Sequence, residues 1–251
     1  MSGASETGWL RPQRRPALVV EVLEVALLLV GSDVIGGGGM FGIDAGVAVA
    51  VRTSPPETLA LARFGQPFGQ RWLLALALMA AAWSYVHLAA DRRAALRSLP
   101  APAALLITAS GVVASLKYAT SRPAPRAFAA GTDGAAVLFQ GGSSLPSGHV
   151  VNGTVAIYVL LLLAASIRRA PWSYQRGTRP LAVAVAVGTV NGVCVVVLDF
   201  HWASDAVLGP ILAALLIAVQ QAVCPWPACE ERGAAAPAGE PNSTVVGTRA
   251  R

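Results

Sequence analysis

The stretch SSLPSGHVVNGTVAIYVLLLLAASIRR, residues 143–169, places a turn and a histidine directly before a long apolar run. The run is long enough to cross a bilayer, because about 20 apolar residues span the hydrocarbon core as a helix. A Pro-Ser-Gly turn at a helix start directs backbone N–H groups and the helix dipole toward an anion. The stretch therefore predicts a membrane helix whose first turn lies at a polar site.

The composition of the whole chain agrees with a membrane protein. Of its 251 residues 55% are hydrophobic and 13% are charged, with a mean hydropathy of +0.58. A soluble domain usually carries about a quarter charged residues. The net charge is +6, but the cations stand in short clusters between apolar runs, a pattern that orients membrane proteins. We therefore expect no nucleic-acid partner.

Hydrophobic runs predict an all-α, six-helix integral membrane bundle. The first span is the least regular, because Glu21, Glu24 and Asp33 interrupt it. The two glutamates share one helix face, which we expect to pack inside the bundle or near the cytoplasmic interface; a proton relay is the alternative. The six predicted spans are Ala17–Ile35, Trp72–Ala90, Ala101–Ala119, Val150–Ile167, Leu181–Leu198 and Ser204–Val223.

The segment Gly36–Arg71 is too rich in glycine, proline and polar residues to predict a further span. Within it, Ala45–Val51 is a short apolar piece. The sequence TSPPETLALARFGQPFGQ, residues 53–70, is typical of an amphipathic segment at the membrane interface. The four glycines Gly36–Gly39 predict a flexible hinge.

The cation distribution predicts the orientation of the chain. Most of its 19 lysines and arginines fall on one side if both termini are cytoplasmic. We accordingly divide the chain into a basic cytoplasmic N-terminus (1–16), a membrane domain (17–223) and a disordered cytoplasmic tail (224–251). Cys224 and Cys229 begin the tail and are interpreted as an inert interfacial pair, with a redox or palmitoylation site as the alternative.

The three histidines separate into two groups. His87 lies among apolar residues of the second span and is expected to be a histidine satisfied within the bundle. His149 begins the fourth span and His201 follows the fifth, so both should lie at the outer end of the bundle. Lys117 and Asp205 should lie at the same depth, and such convergence of polar groups favours a functional site.

Three segments together resemble the type 2 phosphatidic acid phosphatase superfamily. PSGH at 146–149 is similar to its core motif, and HWASD at 201–205 to its His-x-x-x-Asp motif. KYATSRPAP at 117–125 is similar to its Lys-initiated first motif. The resemblance implies a membrane lipid phosphatase with a six-span layout.

The resemblance also implies a role for each motif residue. His201 would attack phosphorus and form a phosphohistidine, Asp205 would hold its other ring nitrogen, and His149 would protonate the leaving oxygen. The phosphate-binding residues would be Lys117, Arg122, Ser147 and Gly148. No metal ion and no cofactor is expected.

Two positions depart from the family pattern. Ala124 stands before Pro125 where the first motif has arginine, and Cys194-Val195 stands where the third motif has Ser-Arg. Arg122 is the nearest remaining arginine, and Arg126 is a candidate substitute for one of the missing guanidiniums. Asp199 adds a negative charge close to His201. These differences predict an altered phosphate clamp or a weakened enzyme.

The leading hypothesis is a phosphatase of a bacterial inner membrane that acts at the outer face on a lipid phosphate. The substrates considered are phosphatidic acid, a polyprenyl (di)phosphate and a phosphorylated polyprenyl-sugar. The alternative is a catalytically weakened or inactive relative that binds lipid phosphate. A transporter has little support, because no charged residues pair convincingly across the span centres. The sequence predicts no oligomeric state.

Overall fold

A computed structural model describes residues 14–127, 138–170 and 178–224 of the chain. In this part of the chain all regular structure is helical. The α-helices are α1 (Arg14–Gly36), α2 (Gly39–Arg52), α3 (Pro56–Gly65), α4 (Arg71–Leu88), α5 (Arg92–Ser98), α6 (Pro100–Thr120), α7 (Gly148–Ile167), α8 (Thr178–Val197) and α9 (Ala203–Val223). Two short 3-10 turns are Gln66–Gly69 and Pro125–Ala127.

Five helical stretches are long and apolar enough to cross a membrane. They are α4, the stretch 92–127 that contains α6, and the three helices α7, α8 and α9. These match the last five predicted spans. The predicted first span forms α1, whose 23 residues would reach about 34 Å at 1.5 Å per residue, but its three carboxylates keep it outside this group. Six spans therefore stay a prediction.

The segment 36–71 is more ordered than its composition indicated. It forms α2 and α3, and the predicted glycine hinge is a turn between α1 and α2. Asp33 accepts hydrogen bonds there from the backbone N–H groups of Gly39 (3.1 Å) and Met40 (2.8 Å), which satisfies the free donors at the start of α2. In α3 the large side chains Leu61 and Phe64 are exposed and Ala62 is buried, so this helix has an apolar outer face.

Helix α7 lies at the centre of the bundle and packs against α4, α6, α8 and α9. Most of its residues are buried, including Val151, Val155, Leu162 and Leu163. The bundle core is built around these side chains. Helix α7, whose first two residues are the Gly148 and His149 of the PSGH motif, therefore contacts each of the other four membrane-length helices α4, α6, α8 and α9.

Exposure excludes one of the two positions expected for the glutamates and corrects the prediction for His87. Glu21 and Glu24 are exposed on α1, so they are not packed inside the bundle, and their position near the cytoplasmic interface stays a prediction. His87 is also exposed and contacts the ring of Trp83, with 4.1 Å between ring centroids. Apolar neighbours in sequence had indicated burial for His87, but α4 turns only a narrow face toward α7 and leaves the rest at the surface.

Close packing of α9 on α7 determines the geometry at one end of the bundle. Gly209 lies so near Val150 that a Cβ atom on it would come within 2.7 Å of the valine side chain. The missing side chain lets the first turn of α9 reach the turn before α7, where the Ser147 N–H donates to the Asp205 carbonyl oxygen at 3.3 Å. The PSGH and HWASD segments are thereby joined directly.

Candidate active site

The ends of several helices meet at one end of the bundle. The C-terminal turn of α6 brings Lys117 and the N-terminal turn of α7 brings His149. The short connection from α8 to α9 brings His201, and the first turn of α9 brings Asp205. The site lies where α6 and α8 end and where α7 and α9 begin, so all of these segments reach the same end of the bundle. The sequence predicted this convergence, and the structure places the four residues together.

The two histidines face each other. Their ring centroids are 6.0 Å apart and the rings are nearly perpendicular, at 69°. His201 is buried, with 6% of its surface exposed, whereas His149 is half-buried. At this spacing both imidazoles can contact one tetrahedral group held between them, one ring on each side.

Asp205 and Ser144 hold the Nδ1 side of His201. Asp205 Oδ2 lies 3.6 Å from His201 Nδ1, and the Ser144 hydroxyl lies 3.3 Å from the same nitrogen. Ser144 also donates to Asp205 Oδ2. Because the serine has a single proton to donate, its oxygen is left to accept from Nδ1–H. This arrangement favours the tautomer whose Nε2 carries a free lone pair.

Arg122 lies in a buried ion-pair network rather than at the surface of the site. Its Nη1 donates to Asp205 Oδ1 at 2.8 Å and its Nη2 to Asp44 Oδ2 at 2.6 Å. All three side chains are fully buried. Asp44 also accepts from the Ser204 backbone N–H at 2.8 Å and from its hydroxyl at 2.6 Å. The guanidinium is thus engaged by two carboxylates.

Ser147, Gly148 and Lys117 surround the start of α7. Ser147 is completely buried, and its hydroxyl has no hydrogen-bond partner among the described residues. The first N–H groups of a helix likewise lack partners within it. Lys117 Nζ donates to the Ser143 carbonyl oxygen, which holds the ammonium group beside the turn. Unused donors and a cation together form a pocket suited to an anion.

The remaining predicted residue is Arg126, in the 3-10 turn that follows α6. Its guanidinium is exposed and stacks on Phe200, with 4.9 Å from Cζ to the ring centroid. Asp199, which adds a negative charge near His201, is paired with Arg52 at 3.3 Å. Arg52 also donates to the Pro125 carbonyl oxygen at 2.7 Å. It therefore connects the segment after α6 to the segment between α8 and α9.

The positions that hold arginine in the family pattern carry apolar side chains here. Val195 is fully buried in the bundle, and Ala124 is half-buried. Neither position can therefore supply a guanidinium to the site.

Sequence reasoning missed Ser144, Asp44 and Arg71. Ser144 had a weak signal, because it lies three residues before Ser147 in the turn that precedes α7. Asp44 stood in a segment that had not been predicted to be helical. Arg71 begins α4, and its guanidinium lies beside Gly148 and Lys117, where a Cβ atom on Gly148 would be 3.2 Å from Arg71 Nη2. Nothing in the local pattern of sequence indicated the position of Asp44 or Arg71.

Comparison with known proteins gives one result. The family model described as PAP2 superfamily matches residues 100–225, which contain α6 to α9 and all three motif segments. No curated protein and no solved structure matches the chain.

Proposed function

The chain belongs to the PAP2 superfamily, whose members carry out phosphatase chemistry, and on this premise we propose that it hydrolyses a lipid phosphate in the membrane. The substrate classes are phosphatidic acid, a polyprenyl (di)phosphate or a phosphorylated polyprenyl-sugar. The apolar helices of the bundle support a membrane location, and the cation distribution supports an active site at the outer face with both termini inside.

The observation that carries the proposal is the placement of two imidazoles 6.0 Å apart, one of which has its Nδ1 held by Asp205 and Ser144. In the first step His201 Nε2 attacks phosphorus and forms an N–P bond. The P–O ester bond breaks, and its electron pair goes to the leaving oxygen, which takes a proton from His149. Asp205 stabilises the positive charge that develops on the His201 ring.

The second step releases phosphate. His149, now neutral, removes a proton from water, and the resulting hydroxide oxygen bonds to phosphorus. The N–P bond breaks, and its electrons return to His201 Nε2. Both histidines are then in their starting protonation states, and the net reaction is the hydrolysis of one phosphate ester by one water molecule.

Phosphate oxygens would be bound by the ammonium of Lys117, the buried hydroxyl of Ser147 and the free N–H groups at the start of α7. These donors are fixed before substrate binds, which is the condition under which they stabilise charge in the transition state most effectively. Gly148 lacks a side chain that would occupy this space.

We assign Arg122 a positioning role in place of the phosphate contact that the motif suggested. Its ion pair with Asp205 uses Oδ1 and leaves Oδ2 to the His201 side. Asp44 forms an ion pair with the other terminal nitrogen of the guanidinium, Nη2. Arg122 therefore orients the carboxylate that orients the nucleophile.

The proposal is tested by trapping an acid-labile phosphoenzyme from purified, detergent-solubilised protein supplied with a panel of lipid phosphates. Wild type is expected to release phosphate and to show the trapped species, whereas His201→Ala should show neither, because no neighbouring group can attack in its place. A normal phosphoenzyme in His201→Ala would overturn the mechanism.

The absence of arginine at positions 124 and 195 favours one second candidate, a relative that binds lipid phosphate without turnover. The same assay separates the two, since that protein would bind lipid phosphate but would give no phosphoenzyme and no phosphate release in wild type.

A further inference from the structure

A phosphate monoester carries between one and two negative charges near neutral pH. In this site the two arginine positions of the family pattern hold Ala124 and Val195, and Arg122 is fully buried between two carboxylates. Of the residues that the sequence proposed, Lys117 is the only cation that the structure places at the start of α7. A second cation at this point would have to come from another segment.

Arg71 is such a cation. It is the first residue of α4, and its Nη2 would lie 3.2 Å from a Cβ atom on Gly148, while Lys117 Cε would lie 3.4 Å from the same point. The two side chains thus converge on one side of Gly148. Arg71 also lies close enough to Lys117 and His149 for its charge to interact with both.

Within the described part of the chain, neither of the two cations has an ion-pair partner, although the nearby charge of Asp205 acts on Lys117. Among the described residues, no acidic side chain forms an ion pair with Arg71 or Lys117, and Arg71 has no hydrogen-bond partner there. Asp205, the carboxylate nearest the site, is paired with Arg122. Two like charges side by side repel each other, and a bound anion would relieve this repulsion.

The backbone before Arg71 is packed so that its position is well defined. The turn Gln66–Gly69 approaches α7 closely, since a Cβ atom on Gly69 would be 2.9 Å from the His149 carbonyl oxygen and 2.6 Å from Asn191 Oδ1. Asn191 is buried in α8 and donates from Nδ2 to the carbonyl oxygens of Gly65 (3.3 Å) and Gln66 (3.2 Å). The turn Gln66–Gly69 is therefore fixed by contacts with α7 and α8, and it places Arg71 next to the first turn of α7.

We propose that Arg71 supplies the phosphate-clamping guanidinium that the motif positions lack, an inference that rests on the proposed function. Its fork of N–H donors can bind two oxygens of one phosphoryl group, and Lys117 can bind the same group as a point charge. Phe68 and Trp72, which stand three positions before and one position after Arg71 in the chain, have exposed rings, and exposed apolar side chains near the site in sequence suit a phosphate that is carried on a lipid.

The test measures orthovanadate as a competitive inhibitor and as a ligand, with lipid phosphate hydrolysis alongside. Arg71→Ala should weaken orthovanadate inhibition and binding about 10- to 100-fold, which is the range for loss of a charge-assisted contact. Arg71→Lys should restore part of this loss. Arg63→Ala is the matched control, because Arg63 is an exposed arginine of the preceding helix and should behave like wild type.

The outcomes separate this inference from the proposed function. Equal orthovanadate affinity in Arg71→Ala and wild type would overturn the role of Arg71, even in an active phosphatase. Wild type that binds orthovanadate through Arg71 but hydrolyses no lipid phosphate would support the clamp and overturn the phosphatase. A uniform loss in the Ala and Lys variants with a lowered unfolding temperature would show a structural role and would also overturn the inference.

Discussion

Arg122 and Asp205 form a completely buried ion pair, with 2.8 Å between Nη1 and Oδ1. The carboxylate that accepts this bond presents its other oxygen to the Nδ1 side of His201, at 3.6 Å. One carboxylate therefore connects the interior of the bundle to the proposed nucleophile. The arrangement makes the stability of the fold and the orientation of the histidine depend on the same group.

Removal of Arg122 is expected to destabilise the protein. Arg122→Gln would leave the carboxylates of Asp44 and Asp205 buried without their cation, and breaking a buried pair in this way costs about 3–5 kcal/mol. The thermal unfolding midpoint in detergent should fall clearly. Arg126→Gln is the control for stability, because an exposed arginine contributes little and this one is exposed.

A second substitution refines the interpretation of Arg122. In the background of Arg122→Gln, Asp44→Asn removes one of the two uncompensated charges and should recover part of the lost stability, so the two effects will not add. An unchanged unfolding midpoint in Arg122→Gln, together with a raised KM, would instead show that this arginine contacts the phosphate.

Ser144 is expected to affect turnover more than substrate binding. Ser144→Ala removes a hydroxyl that donates to Asp205 and lies 3.3 Å from His201 Nδ1, so the ring is held less firmly in the reactive tautomer. We expect kcat to fall about 10-fold, which corresponds to about 1.4 kcal/mol in the activation free energy, with KM little changed.

The neighbouring serine provides the matched control for this experiment. Ser143 contributes its carbonyl oxygen to Lys117, and this contact does not need its side chain. Ser143→Ala should therefore retain wild-type kcat. Equal rates for the two variants would remove Ser144 from the catalytic arrangement.

His149 should matter in proportion to how poor the leaving group is. General acid catalysis contributes about 10²–10⁴-fold when an alkoxide must be protonated, and far less when the leaving group is a stable anion. His149→Ala should form phosphoenzyme slowly from an alkyl phosphate and nearly normally from p-nitrophenyl phosphate, as measured in a single turnover. An equal loss with both substrates would argue against a role as the acid, and His87→Ala should resemble wild type, because His87 is exposed on α4.

The orientation of the site is testable by labelling single cysteines with a reagent that does not cross membranes. In a variant whose Cys194, Cys224 and Cys229 are replaced by alanine, a cysteine at the exposed position Gln140 should react in intact cells. A cysteine at exposed Arg92, at the opposite end of the bundle, should react only after the membrane is opened. The reverse result would place the active site on the cytoplasmic side.

Local sequence was sufficient for much of the architecture. Apolar runs of spanning length predicted the last five spans, because an isolated helix in lipid must satisfy its backbone internally and present apolar side chains. The four-residue spacing of His201 and Asp205 predicted their proximity on one helix face. The two side chains are close, but His201 lies before the first residue of α9, so the turn at the helix start brings them together. The turn before α7 was likewise readable from Pro146, Ser147 and Gly148.

Other features of the site depended on contacts between distant segments. Asp44, Arg71 and Ser144 come from three different parts of the chain, and no spacing rule connects them to His201. Arg122 is buried because α2, a helix that composition had not predicted, approaches it and brings Asp44. In the sequence, the position of Arg122 before Pro123 in a motif-like segment had indicated a phosphate contact. The sequence by itself determined the last five long helices and which two histidines meet at their ends, because periodicity and spacing are local properties. Only the tertiary structure decided which arginine is enclosed by carboxylates and which one lies beside the start of α7, because that choice depends on how closely Gly69 and Gly209 allow neighbouring segments to approach α7.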